Sequence, residues 1–271
     1  MRISNYHTHI YLCKHATGTI EEYLERAIKL GYKILGISDH GPLTDELTAL
    51  LRSRRMSQTE YYNDYLTVIN KLKKEYSSKI TLLGAVEIEF YEDYITQITR
   101  MRDELDYLVL GQHEIVVNGQ YKSVYSKSFN QEDVKTYANT LEKAMSTGLF
   151  KILAHPELFM FSYPQFDEVC KNASIQIIQA AIKYNVVLEI NANGIRRNKI
   201  LGIPYDSELT YKYPYYQFWD IVSEYQQKYP ELKVIINDDS HYVDGLGDEF
   251  TELACIFAER HNIKVLDKID F

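Results

Sequence analysis

The repeating unit that decides the fold is clearest in residues 19–40, which read TIEEYLERAIKLGYKILGISDH. Thr19 and Glu22 have the spacing of a helix-capping box, and apolar residues then recur with helical periodicity until Gly31. Residues 34–38 form a short apolar run, which is typical of a buried strand. Because Asp39 and His40 follow that run, the stretch predicts a helix, a strand and a polar loop in succession.

The same alternation extends along the chain in both directions. Strands are predicted at residues 3–6, 34–38, 80–88, 107–110, 151–154, 186–190 and 234–237, with an eighth candidate at 263–266. Helices are predicted at residues 20–30, 58–76, 130–147, 165–184, 215–228 and 247–260, and loops with short helices at 41–56 and 194–214. Seven or eight such βα units fit a closed α/β barrel better than an open sheet.

Composition favours a single domain and narrows the class of function. The chain has 271 residues, of which 45% are hydrophobic, and this length fits one barrel domain over residues 1–271. A net charge of −8 argues against binding to nucleic acid. The three cysteines are too few for a disulfide framework, and neither a signal peptide nor a transmembrane run is visible. We therefore expect a cytoplasmic protein with no membrane association and no obligate protein partner.

Seven of the eight histidines lie just beyond the ends of predicted strands, and three carboxylates lie close to such ends. These residues are His7, His9, His15, His40, His113, His155 and His241, together with Asp39, Glu87 and Asp239. The carboxyl ends of barrel strands converge on one mouth, so these side chains are expected to meet there. His261 alone falls at the end of a predicted helix.

A set of imidazoles and carboxylates this large indicates a metal centre. Any one histidine in a loop is more often solvated, but the whole set would compete for protons if no metal were bound. Imidazole and carboxylate ligands suit zinc, iron and manganese, and one carboxylate can bridge two ions. The number of candidate ligands exceeds one tetrahedral site, so two or three metals are predicted.

Six motifs resemble, in order, those of the polymerase and histidinol phosphatase (PHP) superfamily. They are Tyr6-His7-Thr8-His9, Ser38-Asp39-His40, Ala85-Val86-Glu87, Gly111-Gln112-His113, Ala154-His155-Pro156 and Asp239-Ser240-His241. Three further features are similar to the monofunctional histidinol-phosphate phosphatase family. These features are the histidine- and cysteine-containing segment 7–15, Arg55-Met56 before a helix, and Glu189-Ile190-Asn191 ahead of a Gly-x-Arg stretch.

The resemblance implies a distorted TIM-like (β/α)7 barrel with three divalent metal ions, zinc, manganese or iron, at its mouth. It assigns His7, His9, Glu87 and Asp239 to the first metal, Glu87, His113 and His155 to the second, and His15, His40 and His241 to the third. Asp39 is expected beside the ligands, where a carboxylate can orient them, and Asn191 is expected nearby as a hydrogen-bond donor.

The activity implied by the resemblance is hydrolysis of a small phosphate monoester, L-histidinol phosphate, to L-histidinol and phosphate in histidine biosynthesis. A hydroxide shared by the two metals that Glu87 bridges would attack phosphorus. Asp239 and His241 are the candidates to protonate the leaving alkoxide. Arg196 and Arg197 are candidates for a bidentate phosphate contact, with Arg197 favoured.

Two alternatives stay open at this point. The first is another PHP phosphoesterase, such as a protein tyrosine phosphatase or a nucleotide or nucleic-acid hydrolase. The acidic composition and the lack of a basic stripe disfavour the nucleic-acid variant. The second is a non-catalytic metal-binding module like those attached to polymerases, which is disfavoured because the ligand set is complete and no polymerase sequence accompanies it.

Overall fold

A parallel sheet of seven strands forms the centre of the computed structural model, which describes residues 2–163 and 165–271. In spatial order the strands are β1 (Ser4–Asn5), β2 (Ile34–Ile37), β3 (Thr81–Ile88), β4 (Tyr107–Leu110), β7 (Ile152–Leu153), β8 (Val187–Asn191) and β9 (Val234–Asn237). A separate antiparallel hairpin, β5 (Glu114–Val117) and β6 (Gln120–Ser123), follows β4. The sheet curls into a nearly closed barrel, which confirms the predicted fold class.

Helices connect consecutive strands of the barrel, and one more helix follows β9. They are α1 (Ile20–Leu30), α2 (Asp45–Leu51), α3 (Gln58–Glu60), α4 (Thr67–Glu75), α5 (Ile95–Glu104), α6 (Gln131–Ser146), α7 (Glu168–Tyr184), α8 (Ala192–Ile200), α9 (Tyr216–Lys228) and α10 (Glu249–Arg260). Capping boxes at Thr19 and Ser57 start α1 and α3, and one π-helical segment joins α3 to α4. Among the described residues, no helix combines the length and the hydropathy that crossing a membrane requires.

The barrel closes between β9 and β1 through side chains. Within the described residues, these two ends of the sheet share one isolated bridge, Thr8 with Ser240, in place of a ladder. The side-chain oxygen of Asn5 accepts a hydrogen bond from the backbone N–H of Asp238 at 2.8 Å. The side-chain oxygen of Asn237 accepts one from the N–H of Tyr6, also at 2.8 Å. These amides join the two strands where ladder pairing is missing.

The amino-terminal half of the barrel interior is filled with apolar side chains. Tyr6, Ala85, Tyr107, Val109, Ile152, Ala154, Val187, Ile235 and Ile269 form this cluster. Phe271 stacks on Tyr107 with 4.8 Å between ring centroids, and the N–H of Ile269 donates to the hydroxyl of Tyr6, so the last residues close the bottom. A larger apolar layer lies between the sheet and the helices. Polar side chains therefore collect at the carboxyl ends of the strands.

Several elements differ from the sequence-based expectation, and one of them is α5, over residues for which no helix was predicted. Residues 263–266 form no strand, although the N–H of Leu266 donates to the carbonyl of Val234 at 2.8 Å. The β5–β6 hairpin was not predicted, yet its turn is Asn118-Gly119, with φ of 51° and 75°. An Asn-Gly pair between two short apolar runs is a strong hairpin signal, because both turn residues need positive φ.

Candidate metal centre

The structure brings the seven predicted histidines together at the mouth of the barrel. The ring of His9 lies 4.2 Å from that of His241 and 4.4 Å from that of His40, measured between centroids. His15 lies 5.0 Å from both His40 and His241. His113 and His155 face each other at 5.1 Å, and His7 lies 5.0 Å from His9. His261 lies outside this cluster, on Asp220.

Glu87, near the end of β3, stands between two sets of histidines. Its Oε2 lies 3.2–3.5 Å from side-chain nitrogens of His7, His9 and His40, which we call the Oε2 group. Its Oε1 lies 3.0 Å from Nε2 of His155 and 3.9 Å from Nε2 of His113, and we call these two histidines the Oε1 group. A Cβ atom on Gly111 would overlap the carboxylate, so glycine leaves the space that Glu87 fills. This is the arrangement that a bridging carboxylate requires.

Asp239 contributes a second carboxylate to the same site. Its Oδ1 lies 3.0 Å from Nε2 of His9 and 3.7 Å from Nε2 of His7. This oxygen is buried, and because its contacts with the two imidazoles lack hydrogen-bond geometry it has no hydrogen-bond partner among the described residues. A buried oxygen without a partner carries a desolvation cost that a bound cation would remove.

Outer carboxylates orient three of the histidines. Nδ1 of His7 lies 2.9 Å from Glu189, Nδ1 of His9 lies 3.2 Å from Asp39, and Nδ1 of His113 lies 2.9 Å from Glu89. Each contact engages Nδ1 and leaves Nε2 directed towards Glu87, as in metal sites whose histidines are held by carboxylates. Asp39 therefore lies where it was expected. Glu189 is part of the motif Glu189-Ile190-Asn191, and no role was predicted for it, although it shares a strand face with Asn191.

Asn191 lies against the carboxylates of the site, and its contacts fit the expected hydrogen-bonding role. Its amide donates to Glu189 at 2.6 Å and to Oδ2 of Asp239 at 3.1 Å. Asn193 donates to the same oxygen of Asp239 at 3.2 Å. These bonds hold one oxygen of Asp239 and leave the other directed at the histidines.

The pKa values of the ionisable side chains in this site are shifted in different directions. Burial disfavours the charged form of His7, but nearby carboxylates, above all Glu189, outweigh it and raise its pKa well above the ordinary value. Burial opposes ionisation of Glu87 too, yet the histidines around it hold its pKa well below the usual range. Burial and the positive charge of His9 lower the pKa of His241 to about 3. Divalent metals would replace protons in such a cluster, because metal ligands must be deprotonated.

Four clusters of potential ligand atoms have the spacing that a metal ion requires, with the atoms of each cluster within 4.8 Å of one another. Three of the clusters consist of predicted metal ligands. They are His7, His9 and Asp239; His9, His40 and His241; and Glu87, His113 and His155. A fourth cluster joins His9 to Cys13 and Asp39, but Asp39 is already engaged with Nδ1 of His9. The donor set of imidazole and carboxylate thus fits two or more divalent ions.

Seven of the nine metal-ligand candidates line a cavity of about 630 Å³, whereas His7 and His9 are fully buried and do not line it. Its other walls include Arg197, Tyr125, Tyr213 and Glu114. The guanidinium of Arg197 lies 5.6 Å from the ring centroids of both Tyr125 and Phe161, which is cation–π distance. Arg197 therefore presents a positioned cation to the cavity.

Arg196 does not fit the predicted role in phosphate binding, because its guanidinium is already hydrogen-bonded within the protein. It donates five hydrogen bonds, two of them to Asp248 at 2.9 and 3.0 Å and others to the carbonyls of Asp238 and Gly245. It is buried and does not line the cavity. Its contacts hold the loop after β9, which carries Asp239 and His241.

Comparison with known proteins identifies the family. The PHP domain matches residues 5–193. A histidinol-phosphatase of Bacillus subtilis (strain 168) is 23% identical over 269 residues, covering 89% of this chain and 94% of that protein. A protein of Tolumonas auensis named "Probable phosphatase" is 25% identical over 196 residues, covering 72% of this chain. This chain spans only 65% of the length of the Tolumonas protein.

A solved structure shows the same fold. It is histidinol phosphate phosphatase from Lactococcus lactis subsp. lactis Il1403, complexed with zinc, L-histidinol and phosphate. Its TM-score to this chain is 0.69 at 15% identity, and the alignment covers 100% of this chain and 99% of that chain. The PHP domain match spans more than half of the sequence and includes every ligand candidate from His7 to His155, so the chain belongs to the PHP domain family.

Proposed function

We propose that this protein is a metal-dependent phosphomonoesterase that hydrolyses L-histidinol phosphate. The observation that carries the proposal is Glu87, whose two oxygens face separate groups of histidines at one end of a cavity with a positioned arginine. Membership of the PHP family supports the hydrolytic chemistry. The relatives named histidinol-phosphatase support the choice of substrate.

The residues around Glu87 would hold three divalent ions. His7, His9, Glu87 and Asp239 would hold the first, Glu87, His113 and His155 the second, and His15, His40 and His241 the third. When bound, such ions supply Lewis acidity that activates water and neutralises phosphate charge. Glu189, Asp39 and Glu89 keep the imidazoles oriented for this task through their Nδ1 contacts.

Arg197 would bind the phosphate oxygens of the substrate. Its guanidinium is always charged and has a planar fork that matches two oxygens of a phosphate. The rings of Tyr125 and Phe161 limit its movement, so little side-chain entropy is lost on binding. Asp239 and His241 lie at the same cavity, and we assign protonation of the leaving alkoxide to this pair.

Glu114 favours a substrate that carries a positive charge. Its carboxylate lines the cavity and accepts a hydrogen bond from the hydroxyl of Tyr91 at 3.3 Å. Burial and the nearby charge of Glu89 raise its pKa to about 7. No cation pairs with Glu114 within residues 2–163 and 165–271, so an ammonium group on the ligand would supply the missing partner. Histidinol phosphate carries such an amine on the carbon next to its phosphorylated alcohol.

Turnover of a substrate panel tests the proposed function. The zinc- or manganese-loaded protein is expected to hydrolyse L-histidinol phosphate with a higher kcat/KM than a phosphotyrosine peptide or a dinucleotide. Removing the metal with a chelator should abolish this activity, and adding the metal back should restore it. A preference for the peptide or the dinucleotide would contradict the substrate assignment. Full activity in metal-free protein would contradict the mechanism.

Paired variants are expected to separate phosphate binding from amine binding. Glu114→Gln should lower kcat/KM for L-histidinol phosphate by about 10- to 100-fold, because one charged hydrogen bond is lost. It should leave phenyl phosphate, an ester that has no amine, nearly unaffected. Arg197→Ala should lower kcat/KM for both esters by a similar factor, because both contain phosphate. Equal losses on both esters in Glu114→Gln would show that Glu114 does not select the amine.

A further inference from the structure

Arg55 is a buried cation in the wall of the cavity, and neither the predicted metal ligands nor the proposed substrate contacts include it. Only 2% of its side chain is exposed. Its Nη2 donates to both oxygens of Glu89 at 3.1 and 3.3 Å, Nη1 donates to the carbonyl of Gly41 at 3.0 Å, and Nε donates to Ser53 at 2.9 Å. A guanidinium with contacts on three sides has one defined position.

The first contact of Arg55 leads to the loop after β2. Gly41 directly follows His40, and its N–H donates to the backbone carbonyl of Glu87 at 2.9 Å. Arg55 holds the carbonyl of the same glycine, so this residue is fixed at both its N–H and its C=O. Nδ1 of His40 consequently lies 3.2 Å from Oε2 of Glu87.

The second contact of Arg55 leads to the segment after β4. Glu89, only 2% exposed, has Oε1 at 2.9 Å from Nδ1 of His113. The opposite nitrogen of this ring, Nε2, points to Oε1 of Glu87 at 3.9 Å. Without Arg55, Glu89 would be a buried carboxylate with no fixed cation, and the orientation of His113 would lose its support.

One guanidinium therefore supports a histidine on each oxygen of the bridging carboxylate. We propose that Arg55 is a positioning residue that couples the two sides of Glu87, so that the Oε2 group and the Oε1 group take up metal together. The inference rests on the metal centre of the proposed function and is independent of which ester the protein hydrolyses. Arg55 contacts neither group directly, and it acts through Gly41 and Glu89.

Zinc titration of matched variants tests this coupling. Each variant is titrated against a competing chelator, zinc per chain is measured by mass spectrometry, and circular dichroism verifies the folded state. Wild type is expected to fill both sides of Glu87 in one phase. Arg52→Ala is the matched control, because Arg52 is an exposed neighbour that is not among the residues lining the cavity, and its curve should overlay that of wild type.

Arg55→Lys keeps the charge but not the planar fork, so its whole curve should move to about 10- to 100-fold higher free zinc. Glu89→Gln weakens the contacts of this side chain with His113 and Arg55 but leaves the bond from Arg55 to Gly41 in place. It should therefore split the curve, with the Oε1 side alone weakened. Guanidinium ion at millimolar concentration should move the curve of Arg55→Ala back towards wild type. Overlay of Arg55→Lys with wild type, or splitting like that of Glu89→Gln, would overturn the proposal. These outcomes can be scored even if the protein hydrolyses a different ester.

Discussion

Replacing Glu87 by glutamine is expected to lower kcat/KM by about 1,000-fold, which corresponds to about 4 kcal/mol of transition-state stabilisation. Glutamine has nearly the same shape but no charge, and only one oxygen. It cannot serve the Oε2 group and the Oε1 group at the same time, so the site would lose its shared ligand. Steady-state kinetics with L-histidinol phosphate, together with zinc per chain, would measure the effect.

Glu92→Gln is the matched control for this substitution. Glu92 lies a few residues further along the chain, its side chain is 63% exposed, and it pairs with a surface lysine, Lys143. Loss of that pair should leave kcat/KM unchanged, because exposed ion pairs contribute little. If Glu87→Gln kept the activity and zinc content of wild type, Glu87 would not lie between two metals.

Replacing Arg196 by alanine should lower the free energy of unfolding by about 3–5 kcal/mol. The substitution leaves Asp248, whose side chain is 14% exposed, without its cation, and it removes donors to two backbone carbonyls. Urea unfolding followed by circular dichroism at one fixed zinc concentration would measure the change, since bound metal also stabilises the folded state.

Lys199→Ala serves as the comparison for Arg196→Ala. Lys199 lies on the same helix, α8, and its exposed amine pairs with Glu249 on the surface. Its removal should cost less than about 1 kcal/mol. Equal effects of the two substitutions would mean that the buried contacts of Arg196 contribute no more than a surface pair.

The histidine positions carried most of the information about the site that was available in the sequence. Strand ends could be located because short apolar runs end shortly before His7, His40 and His113. In a parallel barrel such ends meet, so proximity followed from topology without knowledge of any side-chain conformation. The proximity of the candidate ligands could therefore be predicted residue by residue.

The two arginines show why the rest of the site could not be predicted. Residues 194–214 were expected to be a loop with a short helix, whereas α8 begins at Ala192, directly after β8. On a helix, neighbouring residues point about 100° apart, so Arg196 and Arg197 face different surroundings. Only the start of the helix determines which one reaches the cavity. Arg55 presents a similar case, since its burial depends on Glu89, which lies on another segment.

Closure of the barrel by Asn5 and Asn237 has a consequence for the order in which the protein matures. These contacts join residues 231 and 233 positions apart in the sequence. A growing polypeptide already contains Glu87, His113 and His155 when residue 155 has been made, but it lacks Asp239 and His241 until the chain has been extended beyond β9. The Oε1 side can thus assemble early, whereas the remaining ligands come together only when the last strand docks beside the first.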